Sequence, residues 1–264
     1  MSATTQHQGR SSRPAADAAG AVLQQGGVAY WLSGLLAATV VVTCLLTFLV
    51  PGVLHGTAVM NGSARGTALT MLLLGVPVLA VSMGLARAGS ARAVLSWLGA
   101  AAFMLYNSVM LLFATPFNRL FLLDVAILAL AAWSVGALVW QTDVAGLGSR
   151  FTDRAPVRGV AVSVWVIVTL NSLAWLIRIV PALTSSGQAA FLRGTGLPTS
   201  PGYIQDLALW LPLIAVAAFW LWRRRAWGFL IIGATLCGAV RLSLTTSPEA
   251  NTGWPAAAAQ LRAA

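Results

Sequence analysis

Residues 120–140 read LFLLDVAILALAAWSVGALVW, a run of twenty-one residues with one charge, Asp124. A helix needs roughly 20 consecutive apolar residues to cross the hydrocarbon core of a bilayer. Continuous apolarity over that length, without the two-residue alternation of a half-buried strand, reads as a membrane-spanning helix. The same reading applies on either side. Comparable runs occupy about 30–51, 67–86, 94–115, 159–182, 204–222 and 227–247. The expected architecture is an all-α polytopic bundle of seven spans covering about 29–248, with polar tails at 1–28 and 249–264. The first tail is rich in Ser, Gln, Gly and Ala, which predicts disorder. The run that follows it is longer than a signal-peptide core and lacks a clean small-x-small site, so it is expected to be a retained span.

Composition agrees with that class. The chain is 58% hydrophobic and 8% charged, whereas about a quarter of the residues of a soluble domain are charged. So few charges cannot cover a water-facing surface. The net charge of +10 raises the question of nucleic acid, but the basic residues are all arginines and most fall in short gaps between apolar runs, where topology signals belong. The partners implied are therefore the lipid bilayer and a small-molecule or lipid ligand, with no nucleic acid and no protein partner legible.

The arginines also set an orientation. Arg10, Arg13, Arg87, Arg92, Arg150, Arg154, Arg158, Arg223, Arg224 and Arg225 fall on one side, ten in all, against Arg65, Arg119, Arg193 and Arg262 on the other. The excess belongs in the cytoplasm. This places the N-terminus in the cytoplasm and the C-terminus outside. Trp31, Trp97, Trp140, Trp220, Trp222 and Trp227 map to the same side, where an indole has an apolar body and a wet N–H; the other five tryptophans do not.

Two segments echo each other. Val76-Pro77-Val78-Leu79-Ala80-Val81 is matched by Leu211-Pro212-Leu213-Ile214-Ala215-Val216, each in a span that runs into a basic loop. Pro51 and Pro181, and Pro116 and Pro248, fall at nearly the same offset. One reading is a parallel repeat relating spans one to three to spans five to seven, with the fourth as linker, as occurs in some transporters. The other is that proline is simply common at helix ends. Gly62 and Gly66 are expected in a loop.

Ionisable groups within spans are functional candidates by default, because hydrocarbon penalises them. Asp124, Arg178, Asp206 and Arg241 qualify, and the assumed orientation puts all four near the outer face. His55, Asn107 and Asn171 are placed nearby, and Asn171, Trp175 and Arg178 share one helix face. The functional reading is a polar pocket near the outer face that binds a small anionic or zwitterionic ligand through an arginine or moves a proton through Asp124. The structural reading is mutual neutralisation of Asp and Arg on neighbouring helices, or snorkelling of Arg178 to the interface.

Several chemistries lack their residues. There is no lysine for a retinal Schiff base. His7 and His55 are poorly placed to ligate haem. Cys44 and Cys237 lie far apart and form no C-x-x-C, and both read as small apolar residues. No H-E-x-x-H, Walker A or dinucleotide fingerprint occurs, and Ser33-Gly34 lacks the upstream Gly and buried base of an intramembrane serine protease. No cofactor or metal is expected. Two functions remain open. One is a small-solute carrier or accessory membrane subunit. The other is a membrane enzyme acting on a lipid or isoprenoid through Asp124 and Asp206.

The stretches Ala114-Thr115-Pro116-Phe117-Asn118-Arg119-Leu120-Phe121-Leu122-Leu123, Asp206-Leu207-Ala208-Leu209 and Leu221-Trp222-Arg223-Arg224-Arg225-Ala226-Trp227-Gly228 resemble a group of uncharacterised multi-pass bacterial membrane proteins, commonly actinobacterial. The resemblance covers about 30–245. It implies the architecture and brings no activity, substrate or cofactor.

Overall fold

The computed structural model describes residues 27–151 and 155–242, with side-chain surroundings to Cys237. The two polar tails, and the side chain of Arg241, lie outside the described residues. Within them the protein is all-helical. Six helices are long and apolar enough to cross a membrane: α1 (Val28–Leu49), α2 (Ala58–Arg87), α3 (Ala91–Phe113), α4 (Phe121–Gln141), α6 (Val157–Thr184) and α7 (Pro201–Trp222). They make the chain a multi-pass membrane protein. A short α5 (Val144–Ser149) follows α4, and α8 (Ala226–Leu242) closes the described chain with 17 residues.

Local chemistry sets most helix ends. Thr57, Ser90, Asp143 and Ser200 each accept a backbone N–H of the first turn that follows, which satisfies one of the orphan donors there. Leu49 is followed by Val50 and Pro51, which cannot prolong α1. Gly89, at φ +82°, ends α2 in the left-handed conformation that glycine takes without a Cβ clash. Asn118 holds the tight α3–α4 turn. Its side chain accepts the Leu120 N–H at 2.7 Å and donates to the Pro116 carbonyl at 3.1 Å.

The expected loop at Gly62 and Gly66 is instead helix. α2 begins at Ala58, nine residues ahead of the apolar run that starts at 67. The Thr57 hydroxyl accepts the Met60 N–H at 3.2 Å, and Met60, Ala64 and Ala68 are buried at i, i+4 spacing. That stripe holds the polar first turns of the helix against the bundle.

Packing follows a simple plan. α3 is the central helix, flanked by α2, α4 and α8, and 61% of its most apolar window is buried. α1 packs on α4 and α2. α8 sits between α3 and α7, and α6 pairs with α7. α6 is the peripheral helix, with 11% of its window buried. Two apolar cores result. The larger joins α1–α4 with α5 and α8 and includes Leu36, Met71, Leu79, Trp97, Met104, Ile127, Leu147 and Leu230. The smaller gathers Val157, Ala161 and Val164 of α6, Ala217, Ala218 and Leu221 of α7, and Phe229 and Ile232 of α8.

Arg87, Arg92, Arg158 and Arg223–Arg225 cluster at one end of the bundle, its basic end. Here Arg87 of α2 lies over the Tyr30 ring at 4.7 Å, Tyr30 packs on Trp97 at 4.5 Å, and the Trp97 indole donates to the Ser33 hydroxyl at 2.9 Å. This chain of contacts pins α1, α2 and α3. Arg158 and Arg223 likewise lie over Trp222 and Phe219, and guanidinium over an aromatic face is an attractive arrangement.

Two helices contain a π turn. In α2 it spans Met71–Gly75, and the Val76 N–H bonds to the Met71 carbonyl; in α7 it spans Asp206–Trp210, and the Leu211 N–H bonds to the Asp206 carbonyl. Each turn sits immediately ahead of a proline, Pro77 or Pro212. A helical proline lacks its N–H and clashes with the carbonyl four residues back. Widening the preceding turn relieves that clash within a continuous helix.

Candidate functional site: an acid among aromatic rings

At the end opposite the basic end, α3, α6 and α7 meet around Asp206. The widened turn of α7 begins at this residue, with Gln205 and Tyr203 just before it. Asp206 is half-buried. Its Oδ2 accepts the Trp175 indole N–H at 3.1 Å, and the Tyr106 phenol is within interaction range of the carboxylate. Both are neutral groups, and neither cancels the charge of a carboxylate.

The rings form two groups. Trp175 packs on Tyr203 at 4.5 Å and 31°, Phe191 packs on the same Tyr203 at 5.0 Å, and Tyr106 faces Trp210 at 6.0 Å. Phe191 comes from the α6–α7 loop. That loop is itself tied to α2, where the Thr57 hydroxyl donates to the Thr195 carbonyl at 3.4 Å. Gln205 is 8% exposed; its Nε2 reaches the Tyr106 carbonyl at 3.5 Å, and its Oε1 is buried with no donor.

Arg178 completes the arrangement. Three residues after Trp175 on α6, it is exposed, and its Nη1 donates to the Tyr203 hydroxyl at 3.5 Å, a long contact. No ion pair joins Arg178 or any other described arginine to Asp206. The carboxylate is bonded to Trp175 and the guanidinium to Tyr203, the two rings that pack on each other. Of the seven candidate side chains, the structure thus brings together Asp206 and Arg178, joined by the Tyr106, Tyr203 and Gln205 that sequence reasoning passed over.

The others lie apart. Asp124 is 5% exposed on α4, near Cys44 of α1, and shares no partner with Asp206. No hydrogen bond or ion pair reaches its carboxylate among the described residues. Asn107 donates to the Phe103 carbonyl at 2.8 Å and Asn171 to the Ile167 carbonyl at 3.0 Å, each one turn back along its own helix. His55 is exposed in the α1–α2 connection. At the basic end a separate hollow of about 480 Å³ is lined by Gly136, Val139, Trp140, Thr142, Val144 and Trp227, a mostly apolar set.

The chain matches no family model, no curated protein and no solved structure.

Proposed function

We propose that this protein is a small-solute carrier of seven spans whose binding site is the Asp206–aromatic–Arg178 cluster. In this reading α8 is the seventh span. The N-terminus is cytoplasmic, the C-terminus extracytoplasmic, and the membrane is a bacterial plasma membrane. The basic end then lies in the cytoplasm by the positive-inside rule, and the cluster lies near the outer face.

The observation that carries the reading is the recurrence of one irregularity at one offset. α2 and α7 each break into a π turn six residues ahead of a proline, at Met71 and Pro77 and at Asp206 and Pro212. Both start points are separated by 135 residues. The prolines themselves explain the widened turns and their distance from them; what the repeat adds is that both prolines fall in the second helix of their sets, 135 residues apart. The packing is consistent with two like halves, since α3 and α8, the third helix of each set, contact each other at the centre. Parallel repeats about an axis along the membrane normal are a recurring carrier design, with broken or irregular helices at the site. α4 serves as the linker between the sets.

The lipid or isoprenoid enzyme reading finds less support. Acid–base work by two carboxylates needs both at one reacting bond, and Asp124 and Asp206 have no partner in common.

The test is flux. Purified protein in sealed proteoliposomes is offered a panel of radiolabelled amino acids, betaines, amines and short carboxylates. Saturable uptake of at least one solute is expected, lost in Asp206→Asn while the variant stays monodisperse in detergent. Uptake no greater than in protein-free liposomes for every solute refutes the carrier.

A further inference from the structure

We infer that the Asp206 cluster recognises a zwitterion, a ligand carrying an ammonium group and an anionic group a few bonds apart. This rests on the reading of the cluster as a binding site, and it adds the chemical class of the ligand.

The argument runs from charge. Asp206, negative when ionised, lies among rings and has only neutral neighbours, the Trp175 indole that donates to it and the nearby Tyr106 phenol. Arg178 holds a positive charge whose one described contact is the long one to the Tyr203 hydroxyl. Two opposite charges on facing helices ordinarily close into a salt bridge, and a guanidinium on a flexible stem has the reach to do so. Here each meets a ring instead, Asp206 the Trp175 indole and Arg178 the Tyr203 hydroxyl, and those two rings pack on each other. Trp175 to Arg178 and Tyr203 to Asp206 are both i, i+3 steps, so each charge lies about 4.5 Å along its helix from its ring.

Each single-charge ligand fits this arrangement badly. A simple cation satisfies Asp206 and meets the field of Arg178. A simple anion satisfies Arg178 and leaves Asp206 without a counter-charge. A zwitterion satisfies both and adds no net charge to a site of low dielectric. The rings suit its cationic end, since ammonium groups are drawn to the faces of Trp and Tyr. The guanidinium suits its anionic end, because its fork matches carboxylate or phosphate oxygens. The buried, donor-less Oε1 of Gln205 is a further acceptor on the same turn as Asp206.

Such a ligand has two sources, a free solute such as an amino acid or the headgroup of a zwitterionic phospholipid. The experiment separates them. Full-length protein in nanodiscs of phosphatidylglycerol alone is titrated calorimetrically with glycine, glycerophosphoethanolamine, tetramethylammonium and acetate. In parallel, protein in nanodiscs mixing phosphatidylethanolamine with phosphatidylglycerol is analysed by native mass spectrometry for retained phosphatidylethanolamine. The expected result is saturable binding of glycine or glycerophosphoethanolamine, or selective retention of phosphatidylethanolamine. Binding should weaken about 10- to 100-fold in both Asp206→Asn and Arg178→Gln, the scale of one lost charged hydrogen bond. Arg193→Gln, in the α6–α7 loop outside the ring contacts, should bind like the parent and controls for general charge. Tetramethylammonium or acetate binding as tightly as the zwitterions overturns the inference. So does loss in only one of the two variants, equal loss in Arg193→Gln, or the absence of binding in every arm. Because the readout is equilibrium binding, zwitterion binding without flux refutes the carrier alone, and flux without zwitterion binding refutes this inference alone.

Discussion

Replacing Gly228 with alanine tests how tightly the α7–α8 corner is built. A Cβ at Gly228 would fall 2.2 Å from the Leu221 nitrogen, 2.6 Å from its Cα and 2.6 Å from the Trp220 carbonyl carbon. Ordinary Cβ contacts begin at 3.4 Å, so the corner must open by about 1.2 Å, the difference of the two distances. Backbone atoms cannot rotate aside as a side-chain tip can. The displaced segment carries Leu221, which packs with Phe229 and Ile232 in the smaller core. Overpacking a well-filled interior costs about 1–3 kcal/mol, and a clash with backbone belongs at the top of that range. For a chain of this size about 3 kcal/mol lowers the unfolding midpoint by roughly 6–12 °C. The assay is thermal unfolding of purified protein in one detergent, read by tryptophan fluorescence. Gly84→Ala is the matched control. Nothing lies within 4 Å of its Cβ position in α2, and a helical Gly→Ala change is worth up to about +1 kcal/mol. The two substitutions should therefore shift the midpoint in opposite directions. A Gly228→Ala midpoint equal to the parent's, or shifts of the same sign, refutes the packing argument.

Further expectations can be checked with the same preparations. Ser33→Ala leaves the fully buried Trp97 indole N–H without its acceptor, which should cost about 1–3 kcal/mol; adding Trp97→Phe should recover part of that loss in a double-mutant cycle of unfolding midpoints. Asp124 has no described partner to lose and sits in a buried place, so Asp124→Asn should hold or raise stability, by up to about 3 kcal/mol; a lowered midpoint would show that the carboxylate is in use. Reporter fusions at the two termini should land in opposite compartments if α8 crosses, and the same compartment for both ends would remove the seventh span. Pro77→Ala and Pro212→Ala, each removing the cause of a π turn, should slow any flux measured for the parent while leaving the helices intact by circular dichroism.

The helices were legible because hydrocarbon demands long apolar runs, and the runs at 94–115 and 120–140 find α3 and α4 to within three residues. The start of α2 was not legible. Asn61, Gly62, Ser63 and Gly66 are loop formers by local preference, and the helix there is secured by Thr57 as cap and by the buried Met60, Ala64 and Ala68. That stripe was the available signal. The π turns were hidden for a related reason. Proline signals a break in hydrogen bonding, but whether a helix answers with a kink or a wider turn is decided by what packs on it. Within the site, the intramembrane charges of Asp206 and Arg178 stood out against apolar runs. Their companions did not. Tyr106 and Tyr203 are two of only three tyrosines in the chain, yet Tyr106 meets Asp206 only across helices far apart in sequence, and Tyr203 meets Arg178 only across the α6–α7 loop.

α6 makes its packing contacts along one flank, while Val166, Ile167, Leu170 and Ile177 remain more than half or nearly half exposed on the other. Its 28 residues extend about 42 Å, against roughly 30 Å of hydrocarbon in an average bilayer. A rod that long accommodates the mismatch by tilting. Two indole bonds, from Trp165 to the Ala215 carbonyl and from Trp175 to Asp206, couple its inclination to α7. Acyl-chain length thereby becomes a lever on the acid's surroundings, and occupancy of the cluster should differ between short-chain and long-chain phospholipids even with every residue unchanged.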